Sequence, residues 1–217
     1  MESNQDNNQT KFDIWKADRI QKMYHFQPEL VVLRGNVARL AERLQIALAT
    51  WCCERLYPSY REWARSHGTD DRLRRVIDRL WGHSQGEDLD DTELEKYLTE
   101  FHADDFGEEQ DDDLYWRAIG AHGVVWEALQ ACTGRREDHV VMACERCRNE
   151  VYQRIQGKHA DAFGGLITPQ DMPLYNAKIY DDPEMVREVK LQNDAIRLLI
   201  KHEKMTAELK EKLLAIP

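Results

Sequence analysis

The spacing of the apolar residues constrains this chain more than any other feature. Nearly every apolar segment repeats at three and four residues, and no stretch has the β-branched alternation of a strand. Val37, Leu40, Leu44, Leu48, Trp51, Cys52 and Leu56 fall on one broad helical face. Leu73, Val76, Ile77, Leu80 and Trp81 form a second, opposite Arg72, Arg74, Arg75 and Arg79. The expected fold is all-α, a single-domain bundle of six to eight helices. At 217 residues the chain is long enough to bury a core without disulfides or metal.

Local signals set the expected boundaries. Residues 1–11 read as a disordered tail ahead of a single helical domain over 12–217. A first helix covers Phe12 to Phe26, and a long one follows Pro28. Pro58 ends that helix or starts the next, and Gly68 closes the short Ser59–His67 segment. Asp70 is placed to cap Asp71–Trp81, and Thr92 with Glu95 forms a capping-box pattern leading to Phe101. A helix over Asp113–Thr133 ends with Gly134 in a left-handed position. Another starts at Asp138 and stops at Gly157. Residues 158–182 are irregular. Asp182, Pro183 and Glu184 then open a final helix running to about Ala215.

Charge is distributed unevenly. Between Glu87 and Asp113 there are 14 acidic residues and one lysine, a segment charge of −13 in a chain of −10, which leaves the remainder at +3. No start position in this segment gives the Asp-x-Asp-x-Asp-Gly order of a calcium loop. Its readings are a solvated loop, a magnesium site using one or two carboxylates, or a surface that steers a basic partner. The residues assigned to partner binding are Asp104, Asp105, Glu108, Glu109, Asp111, Asp112 and Asp113. The overall negative charge argues against nucleic-acid binding, which needs Lys and Arg at phosphates. No apolar run reaches the roughly 18–20 residues of a membrane span, and the N-terminus lacks the order of a signal peptide. Five cysteines without framework spacing predict reduced thiols and a cytoplasmic location.

The remaining motifs read as structure first. Cys144 and Cys147 fit a buried helix stripe with Val140 and Val151; His139 or Cys132 could approach them, but a zinc site needs four ligands. Of Cys52 and Cys53, at most one is expected to face the core fully. Glu54-Arg55 and Arg75…Asp78 suit an ion-pair network between two antiparallel helices; paired carboxylates for acid–base chemistry are the alternative. His122, between Gly120 and Gly123, suits close helix packing. There is no HExxH, P-loop, GxGxxG or GxSxG motif.

Several of these residues also carry a family resemblance. They are Cys53-Glu54-Arg55, Tyr57-Pro58-Ser59-Tyr60, and Arg75 followed by Ile77-Asp78 and Leu80-Trp81. Ala103-Asp104-Asp105-Phe106 before a helix near Leu114-Tyr115, and the closing helix with Ile196-Arg197-Leu198-Leu199, complete the set. In this order, with similar gaps, they resemble the YjaG-like bacterial family catalogued as domain of unknown function 416. The likeness runs from about Leu40, with 1–30 as an N-terminal addition and 158–180 as an insertion. It implies a compact helical fold and supplies no activity, cofactor or catalytic residue. Helical toxin-immunity proteins look broadly similar in this region.

The expected function is that of a non-catalytic bacterial protein that binds a basic partner protein. Its concrete form is an immunity-type inhibitor that neutralises a toxin through the acidic surface. The competing expectation is an enzyme or small-ligand protein that uses inter-helix carboxylates such as Glu54 and Asp78, with a divalent metal. No catalytic residue, metal ligand or cofactor is assigned. Ile196, Leu199, Ile200 and Leu209 on the last helix suit either the core or a homodimer contact.

Overall fold

The computed structural model describes residues 28–102, 113–160 and 171–216. Among them are nine helices and no strand: α1 (Pro28–Val37), α2 (Glu42–His67), α3 (Arg72–Ser84), α4 (Asp91–His102), α5 (Asp113–Gln130), α6 (Arg136–Ala160), α7 (Met172–Tyr180), α8 (Pro183–Leu199) and α9 (Ala207–Leu214). The all-α reading holds, and the count lies just above the expected range. The expected helix over 12–26 lies outside the described residues.

The fold is organised around α2. Its 26 residues make a rod of about 39 Å. Every residue from Leu44 to Cys53 is buried, so this stretch of α2 is enclosed on all sides rather than along one stripe. It packs against α3, α5, α6, α8 and α9. This enclosure corrects the expectation for the cysteine pair, because Cys52 and Cys53 are both fully buried. A second, smaller cluster, Val151, Ile155, Tyr175, Ile179 and Met185, stands apart from the main core where α6, α7 and α8 meet.

Several boundaries differ from expectation. Pro58 lies inside α2 and neither ends nor starts a helix. Its ring is exposed, and buried Tyr57, Ser59 and Tyr60 hold the rod together across the missing hydrogen bond. The long helix after Pro28 is instead broken at residues 38–41. Buried Gln45 donates from Nε2 to the carbonyls of Val37 (3.3 Å) and Leu40 (3.0 Å), which stabilises the corner. Gly157 sits within α6, whose last turn is anchored when Lys158 and His159 reach Asp182 at 2.9 and 2.8 Å. The final helix divides after Leu199, and Thr206 restarts it by accepting from the Leu209 N–H.

Local chemistry accounts for the other shifts. The α4 cap is Asp90, which accepts from the Glu93 N–H at 2.8 Å, in place of Thr92. Asp70 pairs with Arg75 at the surface and does not cap α3. Asp138 lies in the first turn of α6 and pairs with Arg34. The left-handed residue after α5 is Arg135 (φ 37°), not Gly134. Gly68 does end α2 at φ 64°, and Asp182 caps α8 through the Glu184 N–H, both as expected.

Candidate functional site

Of the seven acids assigned to partner binding, Asp104, Asp105, Glu108, Glu109, Asp111 and Asp112 lie outside the described residues. Asp113, at the start of α5, is exposed and stands 3.7 Å from Arg117. The described part of the acidic segment is mixed. Arg79 gathers Glu87 (3.2 Å) and Glu93 (2.7 Å), and Lys96 lies 3.9 Å from Glu100. The Arg79 hydrogen bond holds the Glu93 carboxyl below its ordinary range. Asp88, Asp91 and Glu95 are exposed and have no ion-pair partner among the described residues.

The Glu54 cluster is a structural tie between α2 and α3. Arg74 donates to both Glu54 oxygens at 2.7 and 2.9 Å and to Asp78 at 2.6 Å. Trp81 Nε1 donates to Glu54 at 2.8 Å. Burial opposes ionisation of Glu54, but these donors outweigh it and keep its pKa low. Glu54 and Asp78 are thus both bound to the Arg74 guanidinium, Glu54 through both oxygens and Asp78 through one. The expected tie between the two helices exists in part: Arg74 takes the role given to Arg75, and Arg55 pairs with Glu188 instead.

A second network runs deeper. Arg55 lies 4.8 Å above the Trp51 ring and forks onto Glu188, with one arm at 2.6 Å. Glu188 also accepts from Gln192 at 2.8 Å, and Gln192 Oε1 accepts from Arg148 Nε at 2.9 Å. Burial disfavours the Arg55 charge, but Glu188 outweighs it and raises the guanidinium pKa. Glu188 and Gln192 occupy the buried stripe of α8 alongside Met185, Ala195, Ile196 and Leu199. That polar break in an apolar stripe was visible in the sequence and signals a buried network. The network opens into a cleft between α2, α6 and α8, flanked by Arg154, Glu184 and Arg187. Arg154 and Arg187 were not singled out from the sequence, and Glu184 was read only as the acid at the start of the final helix.

The thiols behave as core. Cys52 Sγ lies 3.8 Å from Cys144 Sγ, and Cys147 Sγ lies 3.7 Å from the Cys52 carbonyl oxygen. Hydrogen bonding with Cys144 and Cys147, then burial, pushes the Cys52 pKa well up; burial does the same to Cys53. His139 does not join them. It contacts Glu127 through Nδ1 at 2.9 Å, and Arg146 reaches the same carboxylate at 3.0 Å. A Cβ at Gly123 would lie 2.6 Å from an Arg146 nitrogen, so this glycine makes room for the pair. His122 stacks on Phe101 with ring centroids 4.6 Å apart. Among the described residues no group of three or more His, Cys, Asp or Glu side chains could hold a metal ion, and no helix is long and apolar enough to cross a membrane.

Comparison with known proteins agrees with this architecture. No curated protein matches the chain. A crystal structure of a DUF416 family protein from Shewanella baltica OS155 superposes with a TM-score of 0.65 at 19% sequence identity, covering 83% of this chain and 90% of that one. At that identity the likeness speaks for the fold alone. The family model described as "Protein of unknown function (DUF416)" matches residues 33–215. With that match spanning most of its length, the chain belongs to the DUF416 family.

Proposed function

We propose that this protein works by binding a basic partner protein through an acidic surface. Its described part is the α3–α4 turn and the exposed face of α4, and the seven assigned acids from Asp104 to Asp113 are proposed to meet the same partner. The supporting observation is the unneutralised state of Asp88, Asp91 and Glu95. Exposed acids without an ion-pair partner among the described residues also occur singly elsewhere, as at Glu62, Glu137 and Glu203, but here three fall between positions 88 and 95 of a segment whose charge is −13. Uncompensated like charges repel one another, and a partner carrying Lys and Arg relieves that repulsion while gaining a faster encounter. In its concrete form the protein is an immunity-type inhibitor that covers the phosphate-binding surface of a toxin.

Affinity capture from host lysate at low and high salt tests the reading, with a variant neutralised at Asp88, Asp91, Glu95 and the seven assigned acids. The wild type retains a protein of high isoelectric point at low salt and releases it as salt rises. The neutralised variant does not retain it. Equal retention by both forms rejects the proposal.

A further inference from the structure

The cleft between α2, α6 and α8 has a volume of about 200 Å³ and takes one arginine from each helix: Arg55, Arg154 and Arg187. They are held differently. Arg55 is fixed by its forked pair with Glu188 and by the Trp51 ring beneath it. Arg154 Nε meets Glu184 at 2.9 Å, with both side chains about half exposed, so this pair exchanges partners at little cost. Arg187 is exposed and has no ion-pair partner among the described residues. Three guanidiniums against the two carboxylates Glu184 and Glu188 leave a positive excess in the cleft of a chain whose net charge is −10. Val151 and Leu191 supply an apolar wall.

We propose that this cleft binds a small organic anion. Its compact oxyanion head sits between Arg187 and Arg154, and its short apolar body lies against Val151 and Leu191. Guanidinium forks match the oxygens of carboxylates and phosphates, and an unpaired fork beside an exchangeable one leaves donors open to a ligand. Arg55, already occupied, supplies fixed positive charge at the base. The volume is below the roughly 300–1,000 Å³ of sites for drug-sized ligands, so the ligand is small. The inference does not depend on the acidic surface, which lies on other helices.

Calorimetric titration of the full chain with phenyl phosphate and with benzoate tests it. At low salt at least one probe binds the wild type with a stoichiometry of one, and the tighter probe tells a tetrahedral head from a planar one. Arg187→Gln and Arg154→Gln each weaken that binding about tenfold or more. Glu184→Gln, which frees Arg154, strengthens it. Both arginines are exposed, so unchanged thermal melts separate lost binding from lost folding. The inference is overturned if neither probe binds at millimolar concentration, or if the two arginine variants bind like the wild type.

Discussion

Replacing Glu188 by leucine tests the buried ion pair that it forms with Arg55. The Glu188 side chain is 4% exposed and that of Arg55 21%. Removing the carboxylate strands the Arg55 guanidinium in a mostly buried setting and takes an acceptor from Gln192 Nε2. Breaking one side of a buried pair costs about 3–5 kcal/mol, because the remaining charge keeps its desolvation penalty. For a chain of this size each kcal/mol lowers Tm by about 2–4 °C, so the loss is roughly 6–20 °C. Arg55→Met combined with Glu188→Leu removes both charges at similar volume and restores most of that loss, since apolar replacements of a buried pair are close to neutral. Urea unfolding followed by circular dichroism gives the three stabilities. The reasoning fails if Glu188→Leu costs less than about 1 kcal/mol, or if the double variant is as unstable as the sum of the single ones.

Three further outcomes follow from the same geometry. Gly157→Ala stabilises by about 0.5–1 kcal/mol, because nothing lies within 4 Å of the added Cβ and alanine is the better helix former; an unchanged or lower denaturation midpoint contradicts this. The Asp182 carboxyl is held down at about 2 by the Glu184 N–H and then by Lys158 and His159. Its contribution is complete above the unfolded value near 3.8 and is lost as pH falls through about 2. Thermal melts between those limits have a steeper pH slope for the wild type than for Asp182→Asn, which keeps a cap without the charge. Native protein at pH 8 leaves Cys52, Cys53, Cys144 and Cys147 unlabelled by a disulfide reagent, and guanidinium exposes all five cysteines; Cys132 also resists, since burial lifts its pKa to about 12. Rapid labelling of Cys144 or Cys147 in the folded state contradicts that account.

What the sequence reveals depends on how local the cause is. Asp182-Pro183-Glu184 and Gly68 were legible because cap and left-handed chemistry act within a few residues. Pro58 and Gly157 misled for the opposite reason, since packing far along the chain decides whether a helix survives a weak residue. The α1–α2 corner was hidden because Val37, Leu40 and Leu44 keep the helical period across it, and only the Gln45 contacts reveal the break. The choice between Arg74 and Arg75 turns on about 100° of helix rotation, which the expected α3 boundary did not fix well enough. The cleft joins Arg55 to Glu188 across 133 positions, a pairing no short motif encodes. The acidic segment was plain as composition, but composition did not show that Arg79 serves two of its members.

The small cluster at the meeting of α6, α7 and α8 divides the molecule unevenly. Ile155 and Met185 belong to it, and they neighbour Arg154 and Glu184, whereas Arg55 is planted in the central rod. Among the described residues the small cluster holds five buried side chains against the far larger main core, so the expected outcome of hydrogen exchange is faster loss of protection on α7 than at the centre of α2.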